Sequence, residues 1–246
     1  MAPFEWQRFC PRKLRCRTVP CRPPWGNLRS CKAMAEYAKS SGLQFLGRET
    51  VLEEVHAKDA FELCSQFRYI MLFKDPMRRL QSNLNRLASR PNKQAKAWLT
   101  RLVFTEHRTS DLAGTPSLNN FVARTILGTD AFFLPPGGIN ASHEQAATVM
   151  LSKFALVLPV ERLSEVYAQN RIALLFGYNT TATESTRKLQ HLLSQKRNHR
   201  SRKQRLNPVT VSLLTRMNVI DMSLYRQTLA KYESDKLVFE KRVADY

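Results

Sequence analysis

Apolar and polar positions run in blocks along this chain, and the sharpest boundary lies within Phe67 to Asn83, FRYIMLFKDPMRRLQSN. Phe67 to Phe73 is a short run rich in aromatic and aliphatic residues, which reads as a buried strand. Lys74-Asp75-Pro76 stops it, and Met77, Leu80, Leu84 and Leu87 follow at helical spacing. Asp75 is a good N-cap, and Pro76 suits the first helical position, where a missing N–H has no partner to lose. The predicted unit is strand, sharp turn, helix, with the helix stopping near Arg90-Pro91 because the residue before proline avoids the helical region.

The same reading extends both ways. Upstream, Lys32 to Lys39 patterns as a helix closed by Ser40-Ser41-Gly42, then a short strand over 43–46 and a helix from about Glu49 to Lys58. Downstream, Asn92 to Phe104 is an amphipathic packing helix, and Thr105 to Pro116 is loop. Ser117 is placed to cap a helix through Leu127, with Gly128 as its stop. Pro135-Pro136-Gly137-Gly138 is the clearest loop. Ser142 to Lys153 reads as a helix whose capping box is Ser142 with Gln145. Phe154 to Leu158 is a second apolar strand broken by Pro159, and Glu161 to Phe176 is a helix ended by Gly177. Asn207-Pro208 opens a helix to about Met217, and Asn218 to Tyr225 leads into a long terminal helix.

Length and composition narrow this. At 246 residues with 43% apolar content and 13 Phe, the chain has material for one α/β domain with a sizeable core, or at most two small ones. A net charge of +19 implies anionic partners: nucleic acid, a membrane surface, a nucleotide or a polyanionic sugar. Residues 1–33 hold eight Lys/Arg against Glu5, so they read as a basic, poorly structured tail, with an organellar transit peptide as the alternative. Eight more cations between Arg187 and Arg205 face only Glu184. That run is either a solvated face or a lid or track for a nucleotide or an acidic glycan. Cys10, Cys16, Cys21 and Cys31 fit no paired zinc spacing, which leaves free thiols in the tail or disulfides within it. No apolar stretch approaches the roughly 20 residues of a bilayer span, and no apolar leader stands near the N-terminus.

Candidate chemistry centres on the opening unit. A helix that starts at the carboxyl end of a strand is where α/β proteins bind phosphorylated ligands. Lys74 sits at the turn, and Arg79 and Ser82, three apart, share a helical face. Ammonium, guanidinium and hydroxyl together suit a phosphate dianion. The alternative is an ordinary strand-to-helix turn with solvated charges.

KDPMRRLQS resembles the 3′-phosphate-binding motif of Golgi-type carbohydrate (glycosaminoglycan-like) sulfotransferases: Arg-Asp-Pro, two residues, Arg, two residues, Ser. The resemblance implies that Lys74 and Ser82 hold the 3′-phosphate of 3′-phosphoadenylyl sulfate (PAPS), with Arg79 as the motif's second Arg. Lys74 stands where the family has Arg, which keeps the charge and loses the planar two-pronged donor. Three weaker stretches follow in the family's order. They are Asn119 to Gly128, FALVLPVERL (154–163) with its helix ending Leu-Phe-Gly-Tyr, and Asn218 to Tyr225. In the first, Arg124 is placed either to reach a ligand or as a surface Arg on a packing helix. In the second, Glu161 and Arg162 read as structural.

This likeness spans Phe67 to Tyr246. It implies an α/β fold with a three-layer, P-loop-NTPase-like parallel sheet flanked by helices and a helix-rich C-terminal half. That sulfotransferase-like domain would occupy 34–246 behind the tail of 1–33. It further implies PAPS as co-substrate without a metal, a carbohydrate acceptor and a Golgi location. Sulfuryl transfer needs in-line positioning, charge neutralisation and a base for the acceptor hydroxyl. His56, Glu53 and Glu54 lie upstream where a base would stand, and none is assigned. A loop for the 5′-phosphosulfate is not found before residue 67; Ser40-Ser41-Gly42 follows a helical pattern and is not assigned. That fits a domain truncated at its N-terminus or a non-catalytic relative. Two functions stay open: sulfuryl transfer from PAPS to a carbohydrate hydroxyl, and a non-catalytic basic protein that binds nucleic acid or another polyanion.

Overall fold

The computed structural model describes residues 31–40, 63–88, 116–175 and 206–244. Two parallel strands, β1 (Ile70–Phe73) and β2 (Leu156–Pro159), pair with Ile70 beside Leu156 and Phe73 beside Pro159. Alternation along them sends Met71, Phe73 and Val157 into one apolar cluster and Ile70, Leu156 and Leu158 into another. A slip of one residue would exchange the clusters, so the register is set by burial. β1 begins three residues later than predicted, because Cys64 to Phe67 close a turn in which the Phe67 N–H donates to the Cys64 carbonyl at 3.0 Å. β2 runs through Pro159 rather than ending before it; at the last strand position a missing N–H costs little. Helices surround the pair: the described residues form a mixed, helix-rich fold on a small parallel sheet.

α1 (Cys31–Ser40) opens within the last residues of the expected tail, and Cys31 is bonded to Cys64 with Cα atoms 5.4 Å apart. For Cys31 this corrects the expectation of a free thiol or of pairing within the tail; Cys10, Cys16 and Cys21 lie outside the described residues. The partner is the one cysteine outside that cluster, and spacing along the chain could not reveal it. Cys64 is buried beside Met34, and its N–H donates to the Tyr69 hydroxyl at 3.0 Å. Closing a loop across a separation of 33 residues restricts the unfolded chain by about 3–4 kcal/mol. Cys64→Ser is therefore expected to lower the unfolding midpoint, and reductant should lower the wild-type midpoint by more than the variant's.

α2 (Pro76–Ala88) starts as predicted: Asp75 Oδ1 accepts the Arg78 N–H at 2.8 Å, and Leu80 and Leu84 are buried. Ser117 does not cap the next helix. Pro116–Leu118 is a single 3-10 turn, Asn120 is left-handed at φ 43°, and α3 (Phe121–Leu127) begins after it. Gly128, at φ 95°, ends α3 as expected. α4 (Thr129–Phe132) and the Pro135–Gly138 turn follow. Gly137 at φ 79° and a Gly138 N–H donating to the Pro135 carbonyl at 2.9 Å match the positions of a type II turn.

α5 (Ala141–Ser152) is capped by Asn140, not Ser142, and the box closes with His143 rather than Gln145. Asn140 Oδ1 takes the Ser142 N–H at 3.1 Å and the Ser142 hydroxyl at 2.7 Å, so Ser142 donates to the cap. After β2 a 3-10 turn (Val160–Arg162) intervenes, and α6 (Val166–Leu175) starts five residues later than predicted. α7 (Pro208–Met217) has Asn207 as its cap, and α8 (Val219–Ala244) packs against β2, α3 and α5.

Arg162 behaves as the predicted structural base. It pairs with Glu165 at 2.7 Å and Glu233 at 2.9 Å, and Glu165 also accepts from Lys236 at 3.0 Å and Tyr232 at 3.1 Å. Burial pushes the Glu165 carboxyl up, but the bonds from Lys236, Arg162 and Tyr232 outweigh it and hold the group below its ordinary 4.5. A carboxyl with a depressed folded pKa stabilises the fold above the unfolded value and loses that contribution as pH falls through the folded value. Glu165→Gln should therefore flatten the fall in stability below about pH 4.5, read as unfolding midpoints from pH 3 to 7.

Candidate functional site

β1 delivers Lys74 to its carboxyl end, and α2 begins two residues later. The turn is held from below. The Asp75 N–H donates to the Glu161 carboxylate at 3.2 and 3.4 Å, and the Tyr225 hydroxyl donates to the same carboxylate at 2.9 Å. One acid after β2 thereby ties the ends of both strands to α8, the structural role expected of Glu161. Burial beside this carboxylate pushes the Tyr225 phenol well above its ordinary value, so it stays a donor at neutral pH.

Lys74 is half-buried and Ser82 exposed, and neither side chain has a hydrogen bond or ion pair among the described residues. Ser82 lies six residues past Pro76, roughly 9 Å along the helix axis. Arg79 behaves differently. Both its terminal nitrogens donate to the Ser117 carbonyl, at 3.2 and 3.1 Å, and its guanidinium stacks 4.5 Å above the Phe121 ring. Its Nε is buried without a partner among the described residues. Burial lowers the Arg79 pKa, while the charge of Asp221 acts in the opposite direction.

Asp221 belongs to a buried polar clasp that the sequence reading missed. Its two carboxylate oxygens accept the Val122 and Ala123 N–H groups, each at 2.9 Å, and so cap α3 from another helix. In return, Asn120 Oδ1 accepts the Ile220 and Asp221 N–H groups at 3.1 and 3.2 Å and caps α8. Asn218 completes the pair: its amide oxygen takes the Asn120 N–H at 2.9 Å, and its amide nitrogen donates to Leu118 and Leu214 carbonyls. Burial pushes the Asp221 carboxyl up, and the two amides with Arg79 and Arg124 pull it back.

Arg124 is neither a ligand-facing nor a surface residue. It is 1% exposed, and its guanidinium donates to the carbonyls of Asn119, Ala131, Phe132, Leu134 and Pro135 and to the Asn119 side chain, at 2.7 to 3.2 Å. Every nitrogen is engaged, so it holds the end of α4 and the segment after it against the start of α3. Arg and Asn in a helical pattern cannot by themselves signal this, because the partners are backbone groups.

His56, Glu53, Glu54, the 187–205 run and residues 1–30 lie outside the described residues. No three His, Cys, Asp or Glu side chains gather as a metal-binding set among the described residues, and no helix there is long and apolar enough to cross a membrane. No protein-family model, curated protein or solved structure matches this chain.

Proposed function

We propose that this chain is a PAPS-dependent sulfotransferase-like domain acting on a carbohydrate hydroxyl, with a three-layer α/β fold in which the donor's 3′-phosphate meets Lys74 and Ser82. The observation that carries it is the start of α2 at the carboxyl end of a parallel strand, with an ammonium and a hydroxyl there that no described residue engages. The acceptor oxygen forms a bond to the donor sulfur as the bond from sulfur to the bisphosphate oxygen breaks, and a base takes the hydroxyl proton. Lys74 and Ser82 supply binding and orientation at the 3′ end, and Arg79 enters through its hold on Ser117 and Phe121. A buried disulfide suits the oxidising secretory compartment that a Golgi location entails.

Thermal unfolding with adenosine 3′,5′-bisphosphate tests the reading. At 100 times its Kd the nucleotide stabilises the folded state by about 2.7 kcal/mol, so the midpoint should rise in the wild type and stay put in Ser82→Ala. No rise in the wild type would remove the donor site. The +19 charge would then favour a polyanion binder, recognisable by steeply salt-dependent binding to single-stranded nucleic acid or heparin.

A further inference from the structure

We infer that the cation facing the 3′-phosphate beside Ser82 is Arg78, and that Arg79, the motif's second Arg, serves the fold; the assignment rests on the donor-site reading proposed above. Residues four apart on a helix stand about 40° apart around its axis, so Arg78 and Ser82 share a face, and both are exposed. Lys74 lies two residues before α2 begins, at the end of β1, so it approaches the same helix start from the strand. The Arg78 side chain has no hydrogen bond or ion pair among the described residues. Acids stand at the foot of this face, but each is engaged: Asp75 caps the Arg78 N–H, and Glu161 accepts from Asp75 and Tyr225.

Arg79 is turned by about 100° from Arg78. Its donors are fixed on the Ser117 carbonyl, its plane lies on Phe121, and its charge is balanced by the wholly buried Asp221. Reaching an exposed phosphate would break the bidentate contact and leave the Ser117 carbonyl without it. Two adjacent arginines thus divide the work, one holding α2 to the clasp and the other holding the ligand.

Calorimetric titration of the full chain with adenosine 3′,5′-bisphosphate and with adenosine 5′-monophosphate, which lacks the 3′-phosphate, decides this. Arg78→Ala should weaken the bisphosphate tenfold or more, the effect of losing a charged hydrogen bond, and change the monophosphate less than twofold. Its unfolding midpoint without ligand should equal that of the wild type. Arg79→Lys should lower that midpoint and change bisphosphate affinity less than threefold at a temperature where the variant is folded. Unchanged bisphosphate affinity in Arg78→Ala, or a tenfold loss in Arg79→Lys at an unchanged midpoint, would overturn the division. A wild type that binds neither nucleotide removes the donor site itself, and the Arg78 assignment with it; the ligand-free midpoint of Arg79→Lys still reads the structural role.

Discussion

Asp221→Ala is expected to remove about 3–5 kcal/mol of folding stability, about 1.5–3 kcal/mol for each of the two hydrogen bonds to its buried carboxylate. The substitution strands two groups at once. The Val122 and Ala123 N–H groups lose their acceptors at the start of α3, and Arg79 and Arg124 lose the anion that offsets their charge. No water can substitute cheaply, since Asp221 is wholly buried. Asp221→Asn separates the contributions: one oxygen still accepts, but the amide NH₂ now meets the other N–H, so a loss of about 2–3 kcal/mol should remain. Urea unfolding with an unchanged slope reads both values. A loss under 1 kcal/mol for Asp221→Ala would mean that the reciprocal capping of α3 and α8 is not what joins them.

Arg124→Lys should be almost as damaging, at about 2–4 kcal/mol, although it keeps the charge. The planar guanidinium reaches five carbonyls spread from Asn119 to Pro135, and a single ammonium has three donors at one point. Carbonyls buried without donors each carry a desolvation penalty, and those of Ala131, Phe132, Leu134 and Pro135 would lose their guanidinium donor together. Amide exchange should show faster opening at Ala131 to Leu134 in the variant, while β1 and β2 stay protected. Since whole domains are stable by only about 5–15 kcal/mol, either substitution removes a large share of the total.

These two effects lie on groups that pattern reading passed over or misplaced, and the reason is physical. Asp221 accepts the Val122 N–H at the start of α3 across 99 residues, and Asn120 returns the bond across 101. Local spacing carries no trace of a cap supplied by a distant helix. Ser117 was the natural local candidate and lost to that long-range pair. Likewise Cys31 joins Cys64 rather than its neighbours in the chain, because pairing follows distance in space.

What the sequence determined by itself lay within a few residues, though not all that is local was read: the α5 cap is Asn140 with His143, not Ser142 with Gln145. The apolar run stopped by Lys74-Asp75-Pro76 became β1, a cap and α2; Asn207-Pro208 opened α7; Gly128 and the Pro135–Gly138 turn fell where glycine and proline chemistry places them. The positions of Lys74 and Ser82 relative to β1 and α2 were legible for the same reason, since both lie on one strand–helix unit. Only the tertiary structure decided which way each cation faces. The sequence pattern set Arg79 beside Ser82, whereas the Ser117 carbonyl, the Phe121 ring and Asp221 draw Arg79 in and Arg78 stays exposed. Burying a guanidinium needs fixed acceptors and a counter-charge converging from separate segments, and that convergence exists only once the chain has folded.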